Sequence, residues 1–598
     1  MKHMNKYSAA ALALLTAFSL CACNSNTGAA AEAGNDAAQE ERVTLYQPDG
    51  RKDWDQGSPD SGNSEKSGTV EAPEIEAVTT VTGNFTITTE DGAVTENGNT
   101  YTITSAGTYV LSGVLSDGQV IVAAGEEDEV ELDLNGVSIT CSYDSPIWIQ
   151  SAGEAKIKAM ENTENSVNDT RALQTDDNDT AGSAAIYAEC DLDIVGKGTL
   201  TVIASYNNGI HTKDDLEIKN LTLNVSAPNK ALKGNDSVTI ESGSLRIVST
   251  NGDGIKTKNS DVSSKGNQRG IVTILDGTVE IYAGVDGIDA AYDVIISGGS
   301  VTVKAGDDGI HAENTVQTDG GSVSVVDSHE GIEGHAVTIN DGEIHVYATD
   351  DGINATSSAN NRFDGLVTVN GGKVYVEVSG RDVDGIDSNG SYVQNGGFVV
   401  VSNPNANAGG MAGALDVENT VTVNDGVILA LGGGQGQMPG GQGGFGGQGQ
   451  MPGGQGGFGG QGQMPGGQGG FGGQGQMPGG QGGFGGQGQM PGGQGDFNPG
   501  GTSDTGTDDT AVISLGYGND SLIEERGGFG GKGGGFGGMG GMTGSAMPDG
   551  AVTYTGSLSA GTHTFTYGDI SESFTLKNAV SGGWIYAAGI SSDNYTLE

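Results

Sequence analysis

The chain has 598 residues and a formal charge of −50, with 76 acidic residues against 26 Lys and Arg, 109 glycines and only 6% aromatic residues. A field of that sign repels nucleic acid and anionic lipid, so neither is expected as a partner. Its four cysteines show no Cys/His spacing of a structural zinc site, which removes that class as well.

Residues 1–22 read as a secretory signal, because Lys2 and Lys6 precede an apolar run, Ala9 to Leu20, that is too short to span a bilayer. The run ends in Leu20-Cys21-Ala22-Cys23, which resembles a bacterial lipobox, so Cys23 is expected to become the lipidated N-terminus. The expected location is extracytoplasmic, at the bacterial cell surface, with the membrane touched only through the anchor. Cleavage and lipidation leave Cys141 and Cys190, whose different sequence contexts favour two separate small core residues over a disulfide. Residues 23–80 have the Ser, Gly, Asp, Glu and Ala content of a disordered tether, and strand-like alternation with Gly turns over 81–131 predicts an N-terminal β cap.

From 132 to 431 a Gly-Ile step recurs at 209, 254, 287, 309, 331, 352 and 385, at intervals of 45, 33, 22, 22, 21 and 33. The 45 divides in two if Ala231-Leu232 fills a missing step, and each 33 is 22 plus a polar insertion, so the unit is about 22 residues. Within a unit an acid-Gly-Ile opening leads to a Val-x-Ile triplet, a turn containing Gly and a second Val-x-Val triplet, as from Asp286 to Ala305. The triplets alternate with period 2, and no segment sustains the 3.6 spacing of a helix. A three-stranded unit that cannot bury its apolar face alone must stack on its neighbours, which predicts an all-β fold, a right-handed parallel β-helix. Apolar openings at Ile147, Ile186, Ile210, Leu232, Ile255, Ile288, Ile310, Ile332, Ile353, Ile386 and Leu415 give about eleven coils. The polar segment Met160 to Gly182 is expected to be a loop between the first two. Residues 432–510, built on a 13-residue Gly/Gln/Met/Pro/Phe repeat, are expected to be disordered, and 511–598 to hold a second glycine run and a C-terminal β segment.

Stacking would set the opening acids one above another. Asp253, Asp286, Asp308, Glu330, Asp351 and Asp384 would share a corner, with Asp289, Asp307, Glu333, Asp350 and Asp387 close by. Carboxylates a coil apart, about 4.8 Å, repel by roughly 3.5 kcal/mol at an effective dielectric near 20, and several Ca²⁺ ions would relieve this. The competing reading is that Asp-Gly pairs are simply turn formers. Positive side chains cluster in earlier coils, at His211, Lys213, Lys230, Lys233, Lys256 and Lys258, where they can face acidic sugars or simply line a solvated corner.

The segments Gly107-Thr108-Tyr109-Val110-Leu111-Ser112-Gly113, Leu134-Asn135-Gly136-Val137-Ser138-Ile139, Ser145-Pro146-Ile147 and Asn208-Gly209-Ile210, followed by the Asp-Gly-Ile coils, resemble a known family. It is that of bacterial carbohydrate-binding lipoproteins with bound calcium and a right-handed β-helix similar to polysaccharide lyases. The resemblance implies a monomeric, cell-attached protein that binds plant cell-wall polysaccharide, either glucan or pectic acid. Two alternatives stand beside it. One is a calcium-dependent polysaccharide lyase with Lys256 or Lys258 as base, and the other a surface adhesin held together through Ca²⁺.

Overall fold

The computed structural model describes residues 42–44, 71–174, 180–358, 364–380, 383–406, 413–432, 548 and 550–598. The signal segment, Cys23, the 13-residue repeat and the second glycine run lie outside the described residues.

All eleven apolar openings fall in one parallel ladder. Ile147 pairs with Ile186, Ile186 with Ile210, and the register continues residue by residue through Leu232, Ile255, Ile288, Ile310, Ile332, Ile353 and Ile386 to Leu415. A second ladder follows the Val-x-Ile triplets, such as Val272 on Val294, and a third follows the Val-x-Val triplets, such as Val279 on Val301. Three ladders of parallel strands, visited in turn, make a parallel β-helix. At its N-terminal end Thr100–Ile103 and Gln119–Ala123 add two more parallel layers, while Thr86–Thr88 and Val94–Asn97 pair antiparallel at the edge.

Alternation decides which side chains go inside. In Thr278–Ala283, Val279, Ile281 and Ala283 are buried and the residues between them are not. One core cluster of such residues runs from Ile103 to Ala430 and includes Trp584 of the tail. Burying each aliphatic side chain contributes about 1.5–3 kcal/mol before ordering costs, which makes this ladder the main source of stability.

Two expectations need correction. The segment Met160 to Gly182 is not a plain loop, because Glu164–Asp169 forms a third-ladder strand between Ser138–Cys141 and Thr199–Ala204. Two of its three inward residues, Asn165 and Asp169 on either side of Val167, are polar, which hid it. Asn165 is fully buried, and its Oδ1 accepts from the Gly136 and Val137 amides at 2.9 and 3.1 Å. The span expected to be a tether also contains structure: Arg42–Thr44 pairs antiparallel with Glu71–Pro73, and Ala72 packs on Val248, with Ile75 and Tyr282 alongside.

The tail closes the exposed end of the third ladder. Val580–Ala587 pairs antiparallel with Val427–Leu431, covering an edge that would otherwise present unpaired backbone groups. Outward-facing Phe398, Val400, Val427 and Leu429 then form a second core with Phe565, Phe574, Leu576 and Ile585. Cys141 and Cys190 are separate buried thiols, and burial pushes Cys190 up to about 12.

Candidate functional site

The opening strand explains its own glycine. A Cβ at Gly287 would lie 2.2 Å from Val303 Cγ1 and 2.5 Å from the Gly309 carbonyl oxygen, and a Cβ at Gly309 would meet Val325 Cγ1 and the Gly331 carbonyl at 2.5 Å each. Neither glycine has a positive φ. The acid-Gly-Ile step is therefore not a left-handed turn. It is a place where coils approach too closely for any side chain.

That close approach fixes two outward columns. In the first, the Gly254 amide donates to the Asp286 carbonyl, Gly287 to Asp308, Gly309 to Glu330, Gly331 to Asp351 and Gly352 to Asp384. Ala231 donates to Asp253 and Gly209 to Lys230, so Lys230, Asp253, Asp286, Asp308, Glu330, Asp351 and Asp384 follow one another along the stack. The second column is the residue after the opening Ile. It runs Trp148, Tyr187, His211, Lys233, Lys256, Asp289, His311, Glu333, Asn354, Asp387 and Asp416. Aromatic and basic residues occupy its N-terminal half and mostly acids its C-terminal half.

Lys256 stands at the junction. Its ammonium lies 3.4 Å from Asp253 Oδ2 and is ion-paired with Asp289, whose other oxygen is 3.2 Å from His311 Nδ1. His211 and Lys233 are buried in the column, with His211 edge-on to Tyr187 at 5.1 Å between ring centroids and its Nε2 3.2 Å from Asn235 Oδ1. Lys230 donates to Asn229 Oδ1 at 2.6 Å. Lys213 and Lys258 are exposed and stand away from the column, Lys213 pairing with Glu189 at 2.6 Å.

The acids gather in three groups whose ligand atoms lie within 4.8 Å of one another: Asp253 with Asp286 and Asp289, Asp308 with Glu330 and Glu333, and Glu330 with His329 and Asp350. Burial and neighbouring charge penalise the ionised forms. Burial, then Asp253 and Asp307, raises Asp286 to about 7, and burial, then Glu330, raises Glu333 to about 8. Asp308 is driven well above the carboxylate range by burial, Asp286 and Glu330, and Asp351 by burial, Asp387 and Asp350. Asp384 rises to about 8 through burial and then Asp416, against the lowering effect of a backbone donor, and Asp387 to about 7 through burial, Asp416 and Glu418.

Several carboxylates also serve the backbone. Asp286 Oδ1 accepts the Asp308 amide at 3.0 Å, Asp351 Oδ1 the Asp384 amide at 2.7 Å, and Asp384 Oδ1 the Gly413 amide at 2.5 Å. One oxygen of each is thereby engaged in coil-to-coil capping. The donor set that remains, hard oxygens at irregular spacing, is of the kind that suits Ca²⁺, with His329 adding a nitrogen at one group.

Sequence reading missed His311, Asn354 and Asp416, which hold the same register as His211 and Lys256. Aligning every unit on its opening Ile and reading the next residue would have found them. It also missed a side-chain ladder at the turn between the second and third strands. There, Asn340 donates to Asp319, Asn370 to Asn340, Asn395 to Asn370 and Asn424 to Asn395, all at 2.7–2.8 Å.

A known family, described as carbohydrate-binding domain-containing protein, matches residues 97–383 and 306–443, more than half of the chain. The chain belongs to this family. Over 126 residues it is 40% identical to a carbohydrate-binding domain-containing protein of Acetivibrio thermocellus, a stretch that covers 21% of this chain and 44% of that relative. The chain thus spans less than half of the relative's length. It is also similar to a solved structure, a polysaccharide lyase-like protein from C. thermocellum studied as a gadolinium derivative, with 36% identity over 38% of this chain and 90% of that one and a TM-score of 0.35.

Proposed function

We propose that the protein binds polysaccharide at the bacterial cell surface, held there through a lipidated Cys23, and that Ca²⁺ bound by the acidic half of the opening-strand columns assists. The observation that carries this reading is the partly exposed stretch of the second column from Lys256 to Asp416, which offers a linear polymer one outward side chain per coil in constant register. Family membership supports a carbohydrate ligand. Acidic pectic chains suit the site best, since their carboxylates would share Ca²⁺ with the acid groups and reach the partly exposed Lys256. Plant cell-wall glucan is the neutral alternative.

Binding is preferred to cleavage because the Lys256 ammonium is held between Asp253 and Asp289, a poor starting point for a general base. A glycan-binding screen run with and without chelator, followed by product analysis on the hits, tests the reading. Retention of a uronate polymer in Ca²⁺ without unsaturated product is the expected result. Accumulation of unsaturated uronide would make it a lyase. Silence on all glycans together with calcium-dependent cell aggregation would make it an adhesin. Feeding a fatty-acid probe tests the anchor: the wild type is labelled and Cys23→Ala is not.

A further inference from the structure

Beyond the opening-strand columns, the third ladder carries a different outward surface. Its strands mostly present Thr, Ser and charged residues there, but over three consecutive coils this changes to His345, Tyr375 and Val400, with Tyr347 and Phe398 beside them. The rings are arranged. His345 stacks on Tyr375 with centroids 4.7 Å apart and planes 20° apart, and Tyr375 continues to Phe398 at 6.4 Å. Phe398 is covered by Phe565 of the tail at 6.1 Å, but His345 and Tyr375 are left partly open.

The tail stops short of them and leaves a groove of about 370 Å³, within the size range of small-ligand sites. One wall is His345, Tyr347 and Tyr375, and the other is Phe574 to Lys577. The far wall is fastened in place, because Glu377 accepts the backbone amides of Lys577 and Asn578 at 2.7 Å each. Lys577 Nζ lies 3.4 Å from the Tyr347 ring centroid and donates to the Val326 carbonyl at 3.3 Å. Among the described residues it makes no ion pair, whereas the nearby Lys373 is paired with Glu572 and His345 with Glu343.

Stacking covers one face of His345 with Tyr375, and its other face is turned toward the small Ser324 of the preceding coil, which also lines the groove. An open ring face with an ammonium at the groove's lip is matched by one kind of sugar. The C–H face of a pyranose is weakly positive and packs on the negative face of a ring, and a carboxylate on the same ring would meet the ammonium. We infer that this groove is a second glycan subsite, which takes a uronosyl unit with its ring on the outer, His345 face of the His345–Tyr375 stack and its carboxylate on Lys577. The inference rests on the polysaccharide-binding reading, but the subsite uses none of the acid groups, so it works without metal. One wall comes from the tail, outside the residues that the family match covers.

The test is calorimetric titration of the full chain with an oligogalacturonate, in Ca²⁺ and in chelator. A chelator-resistant component is expected in the wild type. It should fall at least tenfold in Tyr375→Ala, persist in Tyr375→Phe, and fall in Lys577→Gln for the oligouronate but not for a neutral oligoglucan. Ser324→Trp, placed on the groove wall, should abolish it by filling the space, with melting curves confirming that each variant is folded. Binding that needs Ca²⁺ entirely and is unchanged in Tyr375→Ala and Ser324→Trp overturns the subsite and leaves the proposed function standing. No binding of any glycan under either condition overturns both.

Discussion

Asp308 offers the sharpest separation between a cation site and a set of turn residues. Its carboxylate lies with those of Glu330 and Glu333 inside a 4.8 Å cluster, and Asp286 and Glu330 raise its pKa together with burial. Each such contact amounts to roughly 3.5 kcal/mol of repulsion at an effective dielectric near 20, but the three groups are partly buried rather than enclosed, and the water that reaches them screens part of it, leaving at least about 1 kcal/mol. Asp308→Asn removes one charge and keeps the shape. In metal-free protein it should therefore stabilise, by at least about 1 °C for a cooperative unit of roughly 350 residues that gains about 2.1 cal/mol/K of entropy per residue on unfolding. With Ca²⁺ at a hundredfold excess over its dissociation constant, a single site adds about 2.7 kcal/mol, or about 4 °C, to the wild type and much less to the variant. The order of melting temperatures should thus invert between chelator and Ca²⁺. Differential scanning calorimetry of both proteins, stripped of metal and then titrated, checks it. A variant that is less stable than wild type in chelator, with no response to Ca²⁺ in either protein, would refute the cation site and leave the acids as backbone caps.

Titration of the same acids predicts a pH trend for the metal-free chain. Asp286 and Asp387 are raised to about 7, and Glu333 and Asp384 to about 8, from ordinary values of 3.8 for Asp and 4.5 for Glu. A raised acid contributes stability that is complete below its unfolded value and is lost as pH climbs through the folded value. Melting temperature in chelator should accordingly fall between about pH 4.5 and 8.5, and a rise across that window would contradict the assignment. Gly309→Ala should cost at least about 1–3 kcal/mol, because its Cβ would meet Val325 and a backbone carbonyl at 2.5 Å, whereas Gly320→Ala, with only the Ser297 carbonyl at 3.2 Å, should cost distinctly less in urea unfolding. Asn370→Ala removes two ladder bonds, to Asn340 and from Asn395, and should lower stability by about 1 kcal/mol in the same assay; no change would mean that the exposed ladder is merely a solvated turn.

The fold was legible because its information is periodic. Ile at one position and Val at two others recur every 22 residues or so, and all eleven openings fall in one ladder because the inward side chains of each coil must pack on those of the next. Aperiodic parts were harder to read. Glu164–Asp169 sends only Val167 inward as an apolar residue, flanked by Asn165 and Asp169, which are satisfied by hydrogen bonds and by Arg171, so its inward face reads as polar loop. Ala72 and Ile75 dock on Val248 and Tyr282, a contact between residues far apart in sequence that composition does not announce. The Asp-Gly step was legible as a motif, but turn chemistry is the wrong cause for its glycine: sequence cannot distinguish a glycine needed for positive φ, such as Gly299 at +78°, from one needed for close approach, such as Gly287.

The site was legible by position and not by direction. Counting from the opening Ile puts Lys233, Lys256, Asp289 and Glu333 in one column, but Lys213 and Lys258 sit two residues further on and stand away from it. Inward positions are mostly aliphatic, with exceptions such as Asn165 and Tyr392, so the register holds along the stack whatever lies outside. Outward positions carry no such restraint, and their chemistry changes from Trp148 and Tyr187 through His211, Lys233 and Lys256 to Asp387 and Asp416 without disturbing a single backbone pairing. The fold therefore separates stability from recognition. A coil can exchange its outward residue at small cost to the core, and the order of aromatic, cationic and anionic side chains along the column is set by the sequence alone. The aromatic groove beside the tail follows the same rule on another face, where His345 and Tyr375 replace the Thr302 and Ser324 of earlier coils in unbroken register.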